Sequence, residues 1–315
     1  MLFRSQNEGM MHACGHDVHS ACLLGAAMIL NETRDVWEGT VKLIFQPGEE
    51  MLPGGAKLMI AEGVLENPSP ECIIAQHVFP SMPAGKVGFR EGMYMASTDE
   101  IHLTIHGKGG HAAMPAEYIN PLLAASEILL RLDKFFMKTQ HSDEKGNSIP
   151  CVLAFGKMLA DGATNVIPDA IELKGTFRTM NEQWREFAHQ KINEIIQTVC
   201  TETGTRSDLR IVRGYPFLVN DNTITALCRD AAINYLGAQN VEELPLRMTA
   251  EDFAWFSHQL PSCFYRLGTG NVSRGITSGV HTSTFDIDES ALEIGSGLMA
   301  WTCYQLLKES SSENK

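Results

Sequence analysis

Apolar positions along the chain follow three successive rhythms. Residues 19–30 form an apolar run of helical character, with Asp17 placed to cap its N-terminus, and short apolar runs at 41–45 and 72–78 read as strands. The first strand leads into Gln46-Pro47-Gly48-Glu49-Glu50 and the second ends near Gln76-His77. Apolar strands separated by helical patterns predict a buried parallel sheet. Near residue 97 the pattern changes. Ile101, Leu103 and Ile105 alternate with His102, Thr104 and His106, the period of a half-buried strand. A helix over 121–137 follows, with Asn120 as N-cap and Pro121 at the first helical position. Strands at 151–157 and 170–178, a helix at 181–203 and a strand at 209–213 complete a β-α-β-β-α-β order, the ferredoxin-like pattern. Residues 97–213 are therefore expected to be a separate domain, inserted into a first domain made of 1–96 plus 214–315. In that last stretch helices are expected at 222–236, 249–260 and 290–308 and a strand at 263–267, with a polar, frayed end at 309–315. The fold class is α/β with an inserted α+β unit.

Composition narrows the partners. The chain has 315 residues, 44% hydrophobic and 20% charged, enough apolar material for a packed core. A formal net charge of −13 without a Lys/Arg cluster argues against nucleic acid, which needs a basic stripe. No apolar run has the length of a membrane span, and residues 1–19 have no apolar core of the secretion-signal type. Eight cysteines without framework spacing read as reduced thiols, so the expected location is cytoplasmic.

Chemistry concentrates in a few loops. His12-Ala13-Cys14-Gly15-His16-Asp17-Val18-His19 packs three imidazoles, a thiol and a carboxylate into a turn ahead of a helix, where the helix N-terminus favours the thiolate of Cys14. A thiolate and an imidazole two residues apart can reach one metal. The same residues also describe a His-rich surface turn with an inert thiol. Glu49 and Glu50 follow an apolar run, where the sites of open α/β sheets lie, and two adjacent carboxylates there can divide the work of ligand and base. A solvated acidic turn is the plainer reading. His77 and His281 are weak signals alone but gain weight as a set. Gly107-Lys108-Gly109-Gly110-His111 presents a histidine on a tight turn, with the wrong spacing for a phosphate cradle. Arg178 is either a surface charge at a strand end or a carboxylate clamp.

Together these segments resemble the M20 metallopeptidase family, in its branch of hippurate hydrolases, N-acyl-amino-acid amidohydrolases and auxin-conjugate hydrolases. The resemblance is carried by Met11-His12-Ala13-Cys14-Gly15-His16-Asp17, Gln46-Pro47-Gly48-Glu49-Glu50, Gln76-His77, the 107–115 loop, Asn165-Val166-Ile167-Pro168, Gly175-Thr176-Phe177-Arg178, Met248-Thr249-Ala250-Glu251-Asp252-Phe253 and His281 ahead of Phe285-Asp286. It implies a three-layer α/β/α catalytic domain and use of the inserted domain as a lid and for homodimerisation. It implies that Cys14, His16, Glu50, His77 and His281 hold two divalent ions (Zn, Mn, Co or Ni), with Cys14 as a bridge. Glu49 would be the general base, His111 of a partner subunit the oxyanion stabiliser, and Asn165 and Arg178 the contacts to an N-acyl amino acid substrate. The family's pattern also has a longer N-terminal part with an Asp-Met-Asp-Ala-Leu-Pro type motif, which nothing here matches, so the catalytic domain is expected to be N-terminally incomplete. Two other functions stay open on the sequence: a truncated, non-catalytic remnant that binds metal or a partner, and an aminopeptidase or dipeptidase using the same residues.

Overall fold

The computed structural model describes residues 5–142 and 146–313, with side chains to 309. Its strands are β1 Ile73–Pro83, β2 Val87–Phe89, β3 Gly92–Met95, β4 Asp99–His106, β5 Gly110–His111, β6 Cys151–Ala160, β7 Val166–Ile167, β8 Ala170–Thr179, β9 Arg206–Arg213, β10 Leu218–Asn220, β11 Val241–Glu243 and β12 Ser262–Gly270. Its α-helices are α1 His16–Glu32, α2 Gly55–Ala61, α3 Pro121–Phe136, α4 Glu182–Thr203, α5 Asn222–Leu236, α6 Ala254–Ser257 and α7 Ser290–Glu313.

The first sheet has the order β1-β12-β2-β11. It is mixed rather than parallel throughout: β1 runs parallel to β12 and β11 to β2, while β12 and β2 are antiparallel. Every residue of β12 is buried, as befits a strand covered on both faces. Cys263, Tyr265 and Leu267 of β12 join Val18 and Cys22 of α1, Cys228 of α5 and Leu298 of α7 in one core. Phe264 points the other way, into a second core with Ala56 of α2, Tyr94 and Met95 of β3, Leu218 of β10 and Phe256 of α6. Helices on one face, the sheet, and short helices with the β3–β10 pair on the other make three layers.

The second sheet, order β6-β8-β4-β9, is wholly antiparallel. Two helices cover one of its faces. Ile101, Leu103 and Ile105 of β4 pack under Ala124, Ile128, Leu132 and Phe136 of α3, four residues apart along one helix stripe, and under Ile192 and Ile196 of α4. Asn120 accepts from Leu122 N (2.9 Å) and Asn181 from Trp184 N (2.8 Å), so both helices begin with a side-chain cap. The strand and helix order is that of the ferredoxin-like pattern.

Four more expectations need correction. Residues 41–45 are not a strand: the segment has no ladder partner among the described residues, and without one an apolar run has no sheet to join. α1 begins at His16 with Gly15 as its N-cap (φ 77°), and Asp17 lies in the first turn without capping. The helix expected over 249–260 shrinks to Ala254–Ser257, because the residues before it run non-helically to place two buried carboxylates. α7 also continues to Glu313, past the expected end.

The chain passes between the two sheets twice, at residues 96–98 and 214–217. The runs are stitched together: Thr98 N donates to Tyr215 O (3.1 Å) and Gly214 N to Thr98 O (3.0 Å). Beneath them Arg185 is 1% exposed and Asp99 is fully buried. Arg185 grips Asp99 with two nitrogens, 2.9 and 2.5 Å, and also donates to the carbonyls of Thr98 and Gly214. His189 Nε2 adds a contact to Asp99 at 2.6 Å. Removing one member of a buried pair strands the other charge, so Arg185→Ala is expected to lower stability by about 3–5 kcal/mol in urea melts. A loss under about 1 kcal/mol would show that the pair does not hold the crossover.

Candidate metal centre

β1 does not end near Gln76-His77 as expected but runs on to Pro83, so His77 is an interior strand residue. The site lies over the middle of β1, where three loops meet. The first follows from Gly15. Its positive φ suits glycine, and a Cβ there would meet Val78 Cγ2 at 2.6 Å. Only a glycine lets the 12–16 loop lie flat on β1, and this brings Cys14 Sγ within 3.5 Å of His77 Nε2. The other nitrogen, Nδ1, donates to Val78 O at 2.9 Å, which leaves Nε2 with its lone pair facing the thiol. His19 accepts from Val78 N at 2.9 Å, closing the neighbouring backbone position.

The second loop carries Glu49 and Glu50. His16 Nε2 is 3.9 Å from Glu49 Oε2 and 3.8 Å from Glu50 Oε1. The ends of the loop are fixed by Asp252, which is fully buried: it accepts from Gln46 Nε2 at 2.5 Å and from Ala56 N at 3.1 Å. The third loop brings His281, whose backbone N donates to Ala13 O (2.6 Å) and whose Nε2 stands 3.1 Å from Glu50 Oε1.

Donor atoms within 4.8 Å of one another fall into overlapping sets: Cys14, His16 and His77; Cys14, Glu50 and His281; His16, Glu49 and Glu50. All five residues expected as ligands, and the expected base, are therefore brought together, and Cys14 belongs to two sets. A cavity of about 410 Å³ opens over them, lined by His12, Cys14, His16, Glu50 and His281. A larger hollow of about 660 Å³, around His102, Lys174 and Arg210 on the second sheet, holds none of these groups.

A fourth set, Glu49 with Glu251 and Asp252, was not assigned from the sequence. The Glu-Asp pair was visible there, but nothing in the pattern showed that both side chains turn inward. Buried Arg266, beside His77 in the β1–β12 register, bonds Tyr94 Oη (2.9 Å) and Met95 Sδ (3.1 Å), not a carboxylate.

The electrostatics follow from burial and like charge. Burial, then Glu50 and Asp252, pushes the Glu49 carboxyl up to about 7. Burial and then Glu49 raise Glu251 well above the usual carboxylate range, and Asp252 is raised by burial. Burial holds His77 and His16 below the usual imidazole range and takes His19 down to about 3. These histidines are neutral at pH 7, the form that ligates metal. The expected thiolate of Cys14 does not follow: burial, then Glu50 and other carboxylates, pushes the thiol up to about 12, which outweighs the helix N-terminus.

The other expected residues lie apart. His111 on β5 and Asn165 are exposed neighbours, joined by Ala112 N donating to Asn165 O (3.0 Å). Among the described residues no hydrogen bond or ion pair joins either to Glu49. Arg178, at the end of β8, donates to Met248 O at 3.3 Å and has no carboxylate ion pair among the described residues. Burial lowers its pKa.

These features match known proteins. A model of "Peptidase family M20/M25/M40" matches residues 2–304. The IAA-amino acid hydrolase ILR1-like 5 of Arabidopsis thaliana is 36% identical, over 99% of this chain and 71% of that protein. The N-acetylcysteine deacetylase of Bacillus subtilis is 35% identical, over 95% of this chain and 74% of its own. In structure, the YXEP protein of Bacillus subtilis, described as a dinuclear metal-binding peptidase from the M20 family, superposes with a TM-score of 0.77 at 29% identity, covering 98% of this chain and 76% of that one. Fold and sequence place the chain among metal-dependent hydrolases. It belongs to peptidase family M20/M25/M40.

Donor chemistry here suits divalent cations: neutral imidazoles, a thiol and acids whose protons a cation would displace. At pH 7 buried His16 and His77 have no proton to lose, whereas Cys14 does and Glu49 is partly protonated. Adding Zn²⁺ to metal-free protein is expected to release about one proton from Cys14 plus a fraction from Glu49. Calorimetry in two buffers of different ionisation enthalpy counts them, and Cys14→Ser should release about one fewer. Equal release from both proteins would remove Cys14 from the ligand set.

Proposed function

We propose that the chain hydrolyses the amide bond of N-acyl amino acids, with Cys14, His16, Glu50, His77 and His281 holding two divalent metal ions and Glu49 acting as general base. The carrying observation is the convergence of the five donors and Glu49 from loops far apart in sequence. The names of two relatives, an amino acid conjugate hydrolase and an N-acetylcysteine deacetylase, support the substrate class.

When bound, the ions would polarise the scissile carbonyl and acidify the attacking water. The rest of the chemistry belongs to the side chains. Glu49, raised to about 7, accepts the water's proton and hands it to the leaving amine. His77 is kept in one tautomer by Val78 O, so it can meet a cation only through Nε2. Arg178, unpaired by any carboxylate among the described residues, clamps the substrate carboxylate. Asn165 binds substrate beside it in the same reading.

His111 and Asn165 reach no ligand within the chain, which supports their action on a second copy. In this reading residues 97–213 form a lid and dimerisation domain, and residues 1–96 with 214–315 form the catalytic domain. The protein works as a homodimer, and its eight free thiols favour a cytoplasmic setting. No helix among the described residues is long and apolar enough to cross a membrane.

Two outcomes test the reading. Glu49→Gln should retain metal and lose about 10²–10⁴-fold in kcat on hippurate or an N-acetyl amino acid. Retained activity would rule out Glu49 as the base. Mixing inactive Glu49→Gln with inactive His111→Ala protein should restore roughly a quarter of wild-type activity, the share of intact sites that random pairing of symmetric subunits leaves. No recovery, with mixed dimers shown to form, would sink the action of His111 across subunits.

A further inference from the structure

The Glu49 loop is anchored from two different places. Its ends are held by Asp252, through Gln46 Nε2 and Ala56 N. Its middle is held by Tyr215, whose hydroxyl donates to the carbonyl of Glu49 itself. Tyr215 is 5% exposed and packs on the loop so closely that a Cβ on Gly54 would meet its Cε1 at 2.9 Å. It sits in the 214–217 run, the return crossover between the two sheets, and its own carbonyl accepts from Thr98 N in the outgoing crossover. The neighbouring Gly214 touches the same loop, since a Cβ there would meet Leu52 Cδ2 at 2.9 Å. One residue thus belongs to the hinge through its backbone and to the acidic loop through its side chain.

The hinge is a defined arrangement. Arg185 holds the Thr98 and Gly214 carbonyls and Asp99 together, and Glu182 binds Arg185 Nη1 (3.0 Å), Arg213 Nη2 (2.9 Å) and Phe217 N (3.4 Å). Glu182 therefore fastens the start of α4 to the strand entering the crossover and to the residues leaving it. A change in the angle between the two sheets would shift the 214–217 run, while Asp252, outside the hinge, keeps the loop's ends in place.

We propose that Tyr215 is a positioning residue that couples the hinge between the two sheets to the Glu49 loop, so that the placement of Glu49 follows the hinge. This rests on the reading of Glu49 as the base. The hydroxyl is engaged with the Glu49 carbonyl. It sets where the Glu49 backbone, and with it the carboxylate, stands.

Tyr215→Phe keeps the ring on Gly54 and removes only the hydroxyl. It is expected to retain fold and metal content, slow kcat about tenfold with KM nearly unchanged, and speed deuterium exchange of the amides at 48–51 in metal-free protein. Glu182→Gln loosens the hinge and should also slow kcat. Because it acts through the same hydroxyl, the double variant should be no slower than Tyr215→Phe alone. Additive effects, an unchanged kcat, a loss confined to KM or to metal content, or unchanged exchange in Tyr215→Phe would each overturn the coupling. If Tyr215→Phe fails to fold, exchange at 48–51 in Glu182→Gln decides: faster supports the proposal, unchanged overturns it. Wild-type and Glu49→Gln turnover, measured alongside, separate the two questions. If wild type is inactive or Glu49→Gln is fully active, the function assigned above fails, and the exchange data alone then report on the coupling.

Discussion

Repulsion among acids is the constraint around which the site is built. Glu49, Glu50, Glu251 and Asp252 crowd together with the Cys14 thiol among them, and their ion-pair partners among the described residues are histidines, not lysines or arginines. Burial makes each negative charge costlier, which is why Glu49, Glu251, Asp252 and Cys14 all hold their protons more tightly than usual. Arg266 lies close enough to ease Glu49 and Glu251 but spends its hydrogen bonds on Tyr94 and Met95. A group of this kind is stable either protonated or around cations. Divalent ions would replace the protons and turn the repulsion into ligation.

The rest of the structure can be seen as what holds the acids in place against that repulsion. β12, buried along its whole length, fixes the level at which His77 and the loop ends meet. Gly15 lets the ligand turn rest on β1, and Asp252 ties the start of α2 to Gln46. These contacts are short and made by fully or half-buried groups, so they resist better than surface pairs would. The exposed ion pairs on the helices, such as Arg131 with Glu202, add little by comparison.

Much of this was legible in the sequence. The second sheet and its helices announced themselves through period-two and period-four patterns, since one face of each is buried and the other wet. Residues 222–236 were read to the residue because Asp221 caps the helix and Gly237 ends it. The side chains that converge at the site were legible as residue types in particular loops, and the structure brings those loops together. Three things were hidden. Residues 41–45 have strand composition, but pairing is a tertiary property that composition does not encode. Residues 249–253 have helical composition, yet the backbone there serves Glu251 and Asp252 instead. The protonation of Cys14 depends on burial first and then on Glu50 and Glu49, remote in sequence, so the local cue of a helix N-terminus pointed the wrong way.

The burial of the proposed ligands is uneven, and this bears on how a substrate would enter. His77 is deeply buried and Cys14 and His16 are half covered, whereas Glu50 and His281 stand at the surface with 49% and 60% of their side chains exposed. The cavity opens on the exposed side, over His12 and Met11. An amide arriving there would meet Cys14, His16, Glu50 and His281 but none of the polar groups of the second sheet. The function proposed above needs an oxyanion partner, and its candidate, His111, makes no hydrogen bond or ion pair with Cys14, His16, Glu49, Glu50 or His281 among the described residues. In the proposed function a single copy would offer ligands and a base on one surface and an exposed histidine on another, an arrangement that makes chemical sense if the two surfaces meet between copies. The buried half of the site would then be set by the fold of one subunit, and the open half completed by its neighbour.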